Sequence, residues 1–228
     1  MVSYVMTALG AVSLALFCIF RDENSGMKAL FLKTAASVFF VLTAVFAVSA
    51  DSIGAAVLII PGLLFGLLGD ILLDLKFIDK PNSDAYTFGG MGAFFIGHIF
   101  YIAALFTVFE LDAGGALIAA AITVVLTAAV VVSTLKIMKY DYGKFLIPSA
   151  GYSALLIYFV VLSAYALISN APSPAARLLA TGSVVFLISD VILSMTYFGG
   201  KKGRAYLVAN HTAYYAAQFL IALAVLFI

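Results

Sequence analysis

Charge is what this chain lacks most. Asp, Glu, Lys and Arg make up 10% of its 228 residues and apolar residues 65%, a balance far from that of a water-soluble globular domain. With a mean hydropathy of +1.18, the chain reads as an integral membrane protein without a soluble domain. The single cysteine, Cys18, excludes a disulfide within the chain. Ten-residue segments of alternating polarity are missing, which excludes a membrane β-barrel. There is no Gly-x-Ser-x-Gly elbow, phosphate loop or dinucleotide fingerprint, so the commonest nucleophilic and nucleotide chemistries drop out. Nor is there an H-x-x-x-H, an H-E-x-x-H or a cysteine pair. No metal, cofactor or nucleic acid is expected.

What the chain does have is long apolar runs. Eight of them reach the length needed to cross about 30 Å of hydrocarbon at about 1.5 Å per residue. They are Val2 to Phe20, Lys28 to Ala50, Ile53 to Leu75, Phe88 to Phe109, Gly114 to Leu135, Phe145 to Ile168, Ala175 to Tyr197 and Ala205 to Ile228. The expected fold is therefore all-α and polytopic, with eight transmembrane helices. No basic residue precedes the first run, so it reads as an uncleaved helix rather than a signal peptide. Of the twelve Lys and Arg, all but Arg177 fall in or beside the loops that follow runs one, three, five and seven. By the positive-inside rule those loops are cytoplasmic and both termini face outward, as in a bacterial inner membrane.

Two residue sets recur. Asp70 lies near the end of the third run, and the next carries His98-x-x-Tyr101; Asp190 lies near the end of the seventh, and the next carries His211-x-x-Tyr214. The repetition divides the chain into halves 1–112 and 113–228, two parallel four-helix repeats within one membrane domain. Gly62, Gly66, Asp70 and Asp74 share one face of the third helix, and Gly89, Ala93 and Gly97 one face of the fourth. Small residues at this spacing let membrane helices pack closely, so these faces point inward. The Gly89-Gly90-Met91-Gly92 stretch is expected to be irregular.

Ionisable groups inside apolar segments are costly and mark function. Two buried carboxylates can divide acid and base work between them, and the repeat would turn Asp70 and Asp190 toward one another. Asp74 is either a solvated helix end or a member of the same site. His98 with Tyr101, and His211 with Tyr214 and Gln218, share helix faces. The histidines either tune the carboxylates and move protons or make structural hydrogen bonds to Asp on a neighbouring helix. Lys33, about one turn inside the second helix, either snorkels to the interface or supplies a counter-charge for a phosphate.

Together, Gly69-Asp70-x-x-Leu73, Gly97-His98-x-x-Tyr101, Ser189-Asp190 with its following basic loop, and Tyr214-x-x-Ala217-Gln218 resemble the YhhN family of lysoplasmalogenase-like membrane proteins. A family Lys-Pro near the start of the second helix reads Lys33-Thr34 here. The resemblance implies hydrolysis of the vinyl ether bond of a lysophospholipid, giving a fatty aldehyde and a glycerophospho-alcohol. In that chemistry one of Asp70 and Asp190 is the acid and the other the base. His98 and His211 tune them, Lys33 and interfacial cations hold the phosphate, and the alkenyl chain lies between helices. The alternative is a proton-coupled carrier with helices broken at Pro61 and Pro148.

Overall fold

The computed structural model describes residues 1–21, 26–170 and 173–228. Among them are eight long helices: α1 (Val2–Phe20), α2 (Gly26–Val45), α3 (Ile53–Ile78), α4 (Ser83–Val108), α5 (Ala113–Val132), α6 (Leu146–Ser169), α7 (Pro174–Tyr197) and α8 (Arg204–Ala224). Seven of them are long and apolar enough to cross a membrane; α8 is not counted with them. Its polar residues lower its hydropathy, but Asn210, Tyr214, Tyr215 and Gln218 are buried against other helices.

The ends of the helices depart from expectation for local reasons. Helix α2 stops at Val45, and the chain then turns through Ser49 and Ser52, each backbone N–H donating to the other's hydroxyl oxygen at 2.9 and 3.2 Å. A short 3-10 turn, Lys80–Asn82, leads directly into α4 at Ser83. Gly89 to Gly92 are therefore regular helix, not an irregular stretch. Asp112 and Ser173 cap α5 and α7 by accepting from Gly115 N–H at 2.8 Å and Ala176 N–H at 3.1 Å. Pro61 sits within an unbroken α3, and Pro148 in the first turn of α6, where its missing N–H costs nothing. Neither proline breaks a span as a carrier would require.

The packed pairs α2–α3, α3–α4, α4–α6, α6–α7, α7–α8 and α8–α2 close a ring of six helices. Helix α1 lies outside it against α2 and α8, and α5 outside it against α6. Only Ala119 and Thr123 of α5 are buried, and its outer face presents Leu117, Ile118, Val124 and Val125. That face suits lipid. Inside the ring, small residues set the helix spacing as the sequence pattern predicts. A Cβ on Gly97 would stand 3.0 Å from the backbone oxygen of Gly62, and one on Gly66 would stand 2.5 Å from Gln218 Nε2.

The contact of α3 with α4 at Gly97 involves backbone, which cannot swing aside. Gly97→Val is expected to destabilise the bundle by about 1–3 kcal/mol, the usual cost of overpacking, read as a lower thermal midpoint in detergent. Gly92→Val, where nothing stands within 4 Å of the added Cβ, is the control. Equal midpoints for the two variants would contradict the close α3–α4 approach.

Candidate functional site

Lys33 needs a partner because its ammonium is held away from water. The side chain points into the ring from α2 with only 5% of the residue exposed. Its Nζ lies 3.3 Å from Asp70 Oδ1 and 3.4 Å from Asp74 Oδ1, both on α3 one turn apart. Arg21, just past α1, donates from Nη1 to Asp74 Oδ2 at 2.9 Å. Two cations therefore face two carboxylates, and the quartet is neutral. This settles two open alternatives: Lys33 does not snorkel, and Asp74 is no solvated end, being 3% exposed.

The remaining oxygen of Asp70 is held by hydroxyls. Ser37, one turn beyond Lys33 on α2, donates to Asp70 Oδ2 at 2.6 Å, and Tyr214 of α8 donates to the same oxygen at 2.8 Å. Behind Ser37 stands the Tyr215 hydroxyl at 2.8 Å. Behind Tyr214 runs a chain across the ring: Gln218 Nε2 donates to Tyr214 at 3.0 Å, and Tyr101 of α4 donates to Gln218 Oε1 at 2.8 Å. Tyr101, Tyr214 and Gln218 thus belong to one hydrogen-bonded file that ends on Asp70.

Asp190 of α7 has different surroundings. Tyr152 of α6 donates to its Oδ2, and Ser189 Oγ lies 3.4 Å from its Oδ1. No Lys or Arg stands within 4 Å of it among the described residues. Asn210 of α8 donates to the Ser189 backbone oxygen at 2.7 Å and ties α8 to this part of α7. Asp70 and Asp190 both line one cavity of about 1050 Å³, together with Asp74, Lys33, His211 and Tyr214. It lies at the end of the bundle where the basic loops gather, and the loop segments around Tyr142 and Lys201 edge it.

The histidines each bond to their own helix. His98 Nδ1 lies 2.7 Å from Phe94 O and His211 Nδ1 2.8 Å from Leu207 O, each a carbonyl one turn back on its own helix. A carbonyl only accepts, so each Nδ1 donates and Nε2 is left as the acceptor. Neither ring makes the structural hydrogen bond to Asp that was one of its two expected roles; tyrosines do that instead. His98 does not line the cavity, and its Nε2 has no hydrogen-bond partner within a box of Tyr101, Tyr152, Phe159 and Phe186. His211 packs against the Phe17 ring at 4.8 Å.

Five partners were not read from the sequence: Arg21, Ser37, Tyr152, Asn210 and Tyr215. Ser37 carried a signal, since it is four residues from Lys33 and so on the same helix face. Arg21 was visible as a charge but was absorbed into the topology argument. Tyr152 and Asn210 carry no pattern of their own. No group of three or more His, Cys, Asp or Glu stands ready for a metal ion among the described residues.

The YhhN family model matches residues 28–225. No curated protein and no solved structure matches the chain.

Removing one member of a buried ion pair strands the other. Lys33→Met leaves two carboxylates facing Arg21 alone, and is expected to cost about 3–5 kcal/mol in thermal unfolding in detergent. Lys33→Met combined with Asp70→Asn restores the charge balance and should recover much of that loss. A Lys33→Met protein as stable as the unaltered one would contradict the pairing.

Proposed function

The chain belongs to the YhhN family, and from that premise we propose that it is a membrane-embedded hydrolase that cleaves the vinyl ether bond of lysoplasmalogens. The products are a fatty aldehyde and a glycerophospho-alcohol. The observation that carries this reading is one cavity lined by two aspartates in unlike charge environments.

Vinyl ether hydrolysis begins when an acid gives a proton to the β-carbon, leaving an oxocarbenium ion. Water then attacks that cation while a base takes its proton, and the hemiacetal collapses to aldehyde and alcohol. Asp190 has no Lys or Arg within 4 Å among the described residues, so it gives up and regains a proton without breaking an ion pair; it is the acid. Asp70 is locked against Lys33 and receives Ser37 and Tyr214, so it is the standing anion. It steadies the oxocarbenium ion and takes the proton from water. Tyr152 orients Asp190, and the Tyr101–Gln218–Tyr214 file orients Asp70.

We also infer that α8 spans the bilayer as the eighth helix, with the basic loops cytoplasmic and both termini outward. The charge bias of the loops supports this. The two halves form parallel repeats, supported by matching neighbours: α1–α2 with α5–α6, α2–α3 with α6–α7, α3–α4 with α7–α8, and α4–α6 with α8–α2. The cavity then opens at the cytoplasmic face, where a single-chain lipid enters sideways with its head group still wet.

Purified protein given a lysoplasmalogen and an ester-linked lysophospholipid should release aldehyde from the first and no fatty acid from the second. Asp190→Asn and Asp70→Asn should each lower aldehyde release by about 10²-fold or more, the range of a lost acid or base. Aldehyde release at the full rate from Asp190→Asn would overturn the assignment of the acid.

A further inference from the structure

The cavity is lined by six cations and four carboxylates among the described residues, and the cations are not equivalent. Arg21 and Lys33 are committed to Asp74 and Asp70, and Lys144 to Asp84. Lys76, Lys201 and Lys202 face no carboxylate within 4 Å among the described residues. Lys76 is the most telling of them. It lies in the last turn of α3, only partly exposed, with Nζ 3.4 Å from the centroid of the Tyr197 ring. A ring face attracts a cation without pairing with it as an anion does, so the Lys76 ammonium is left with no carboxylate partner among the described residues.

Lys201 and Lys202 are held over the cavity by backbone rather than chance. Past α7, Gly199 N–H donates to Ser194 O at 3.2 Å and Lys201 N–H to Met195 O at 3.0 Å. Gly200 and Gly203, on either side of the two lysines, have φ of 67° and 121°, backbone that other residues rarely adopt. Across the loop, Asp141 N–H donates to Phe198 O at 3.0 Å, and the Tyr142 and Phe198 rings lie 4.4 Å apart. These contacts join the two loops that edge the cavity. Among the described residues the one carboxylate at the mouth is Asp141, whose Oδ1 already accepts from Gly143 N–H at 3.1 Å.

We propose that Lys76, with Lys201 and Lys202, forms a phosphate-binding site at the cavity mouth, separate from the Lys33 quartet. Its excess of positive charge selects head groups that are net negative, such as a phosphomonoester or a phosphoglycerol, over zwitterionic ones. This deepens the lysophospholipid reading and rests on it for the identity of the lipid. The chemistry recognised is phosphate, carried by a lipid or free. Positive loops alone would follow from topology, but a partly buried lysine inside the same cavity, with no carboxylate partner among the described residues, would not.

The test uses binding, so it does not depend on hydrolysis. Purified full-length protein in detergent is titrated with non-cleavable 1-O-alkyl lipids that share one chain and carry a phosphomonoester, phosphoglycerol, phosphocholine or no phosphate. The phosphomonoester and phosphoglycerol lipids should bind about tenfold or more tightly than the phosphate-free lipid, with phosphocholine between them. Lys76→Gln should remove most of that preference, and the exposed-loop variant Lys201→Gln/Lys202→Gln part of it; thermal unfolding checks that each is folded. Inorganic phosphate that displaces the lipid as well as the phosphomonoester lipid does identifies free phosphate as the ligand; displacement only at far higher concentration identifies the lipid-borne group. Equal binding of phosphorylated and phosphate-free lipids, or a folded Lys76→Gln that keeps the preference, overturns the site. Failure to release aldehyde from a vinyl ether lipid would instead count against the hydrolase reading and leave these titrations unaffected.

Discussion

The cost of taking charge out of water shapes this molecule more than any other constraint. An ammonium or carboxylate moved from water into a medium like a protein interior loses solvation worth several kcal/mol even after relaxation. Lys33, Asp70 and Asp74 are all nearly sealed from solvent, so each must be answered by the others. The answer fixes α2 against α3 and draws in Arg21 from the end of α1. Asp70 has one oxygen on the lysine and the other on Ser37 and Tyr214, which brings α8 to the same place. One carboxylate thus ties three helices of the ring together.

Close packing makes that arrangement possible. Tyr214 reaches Asp70, with Gln218 behind it, because Gly66 has no side chain where α8 approaches α3. Asp190, on the opposite side of the ring sequence, has a tyrosine in place of a lysine. Asp70 and Asp190 therefore meet unlike partners. At the mouth, Lys76, Lys201 and Lys202 differ from Lys33 and Lys144 in facing no carboxylate within 4 Å among the described residues.

Much of the fold was legible in the sequence because hydropathy acts over whole segments. Eight helices stand at the eight apolar runs, and the glycine spacing on α3 and α4 marks the faces that meet. Helix ends were less legible, since they turn on local contacts such as the Ser49–Ser52 exchange. At the site, Asp70, Asp74, Asp190, Lys33, Tyr214 and His211 do line one cavity. The partners did not follow from spacing. Lys33 looked interfacial because its distance from the helix end is short, yet it is buried with its ammonium on Asp70 and Asp74 of α3. The histidines looked like Asp partners because they share the neighbouring helices, yet each bonds to its own helix and tyrosines fill that place. A tyrosine such as Tyr152 is common in apolar runs, and only its approach across the ring distinguishes it.

The central claim is that a carboxylic acid in this cavity protonates carbon while a second carboxylate serves as base. Turnover of a lysoplasmalogen in D2O, with mass analysis of the aldehyde, tests it most directly. The account predicts a single deuterium on the carbon next to the aldehyde carbon, delivered in the first step. Aldehyde released without that deuterium would contradict it.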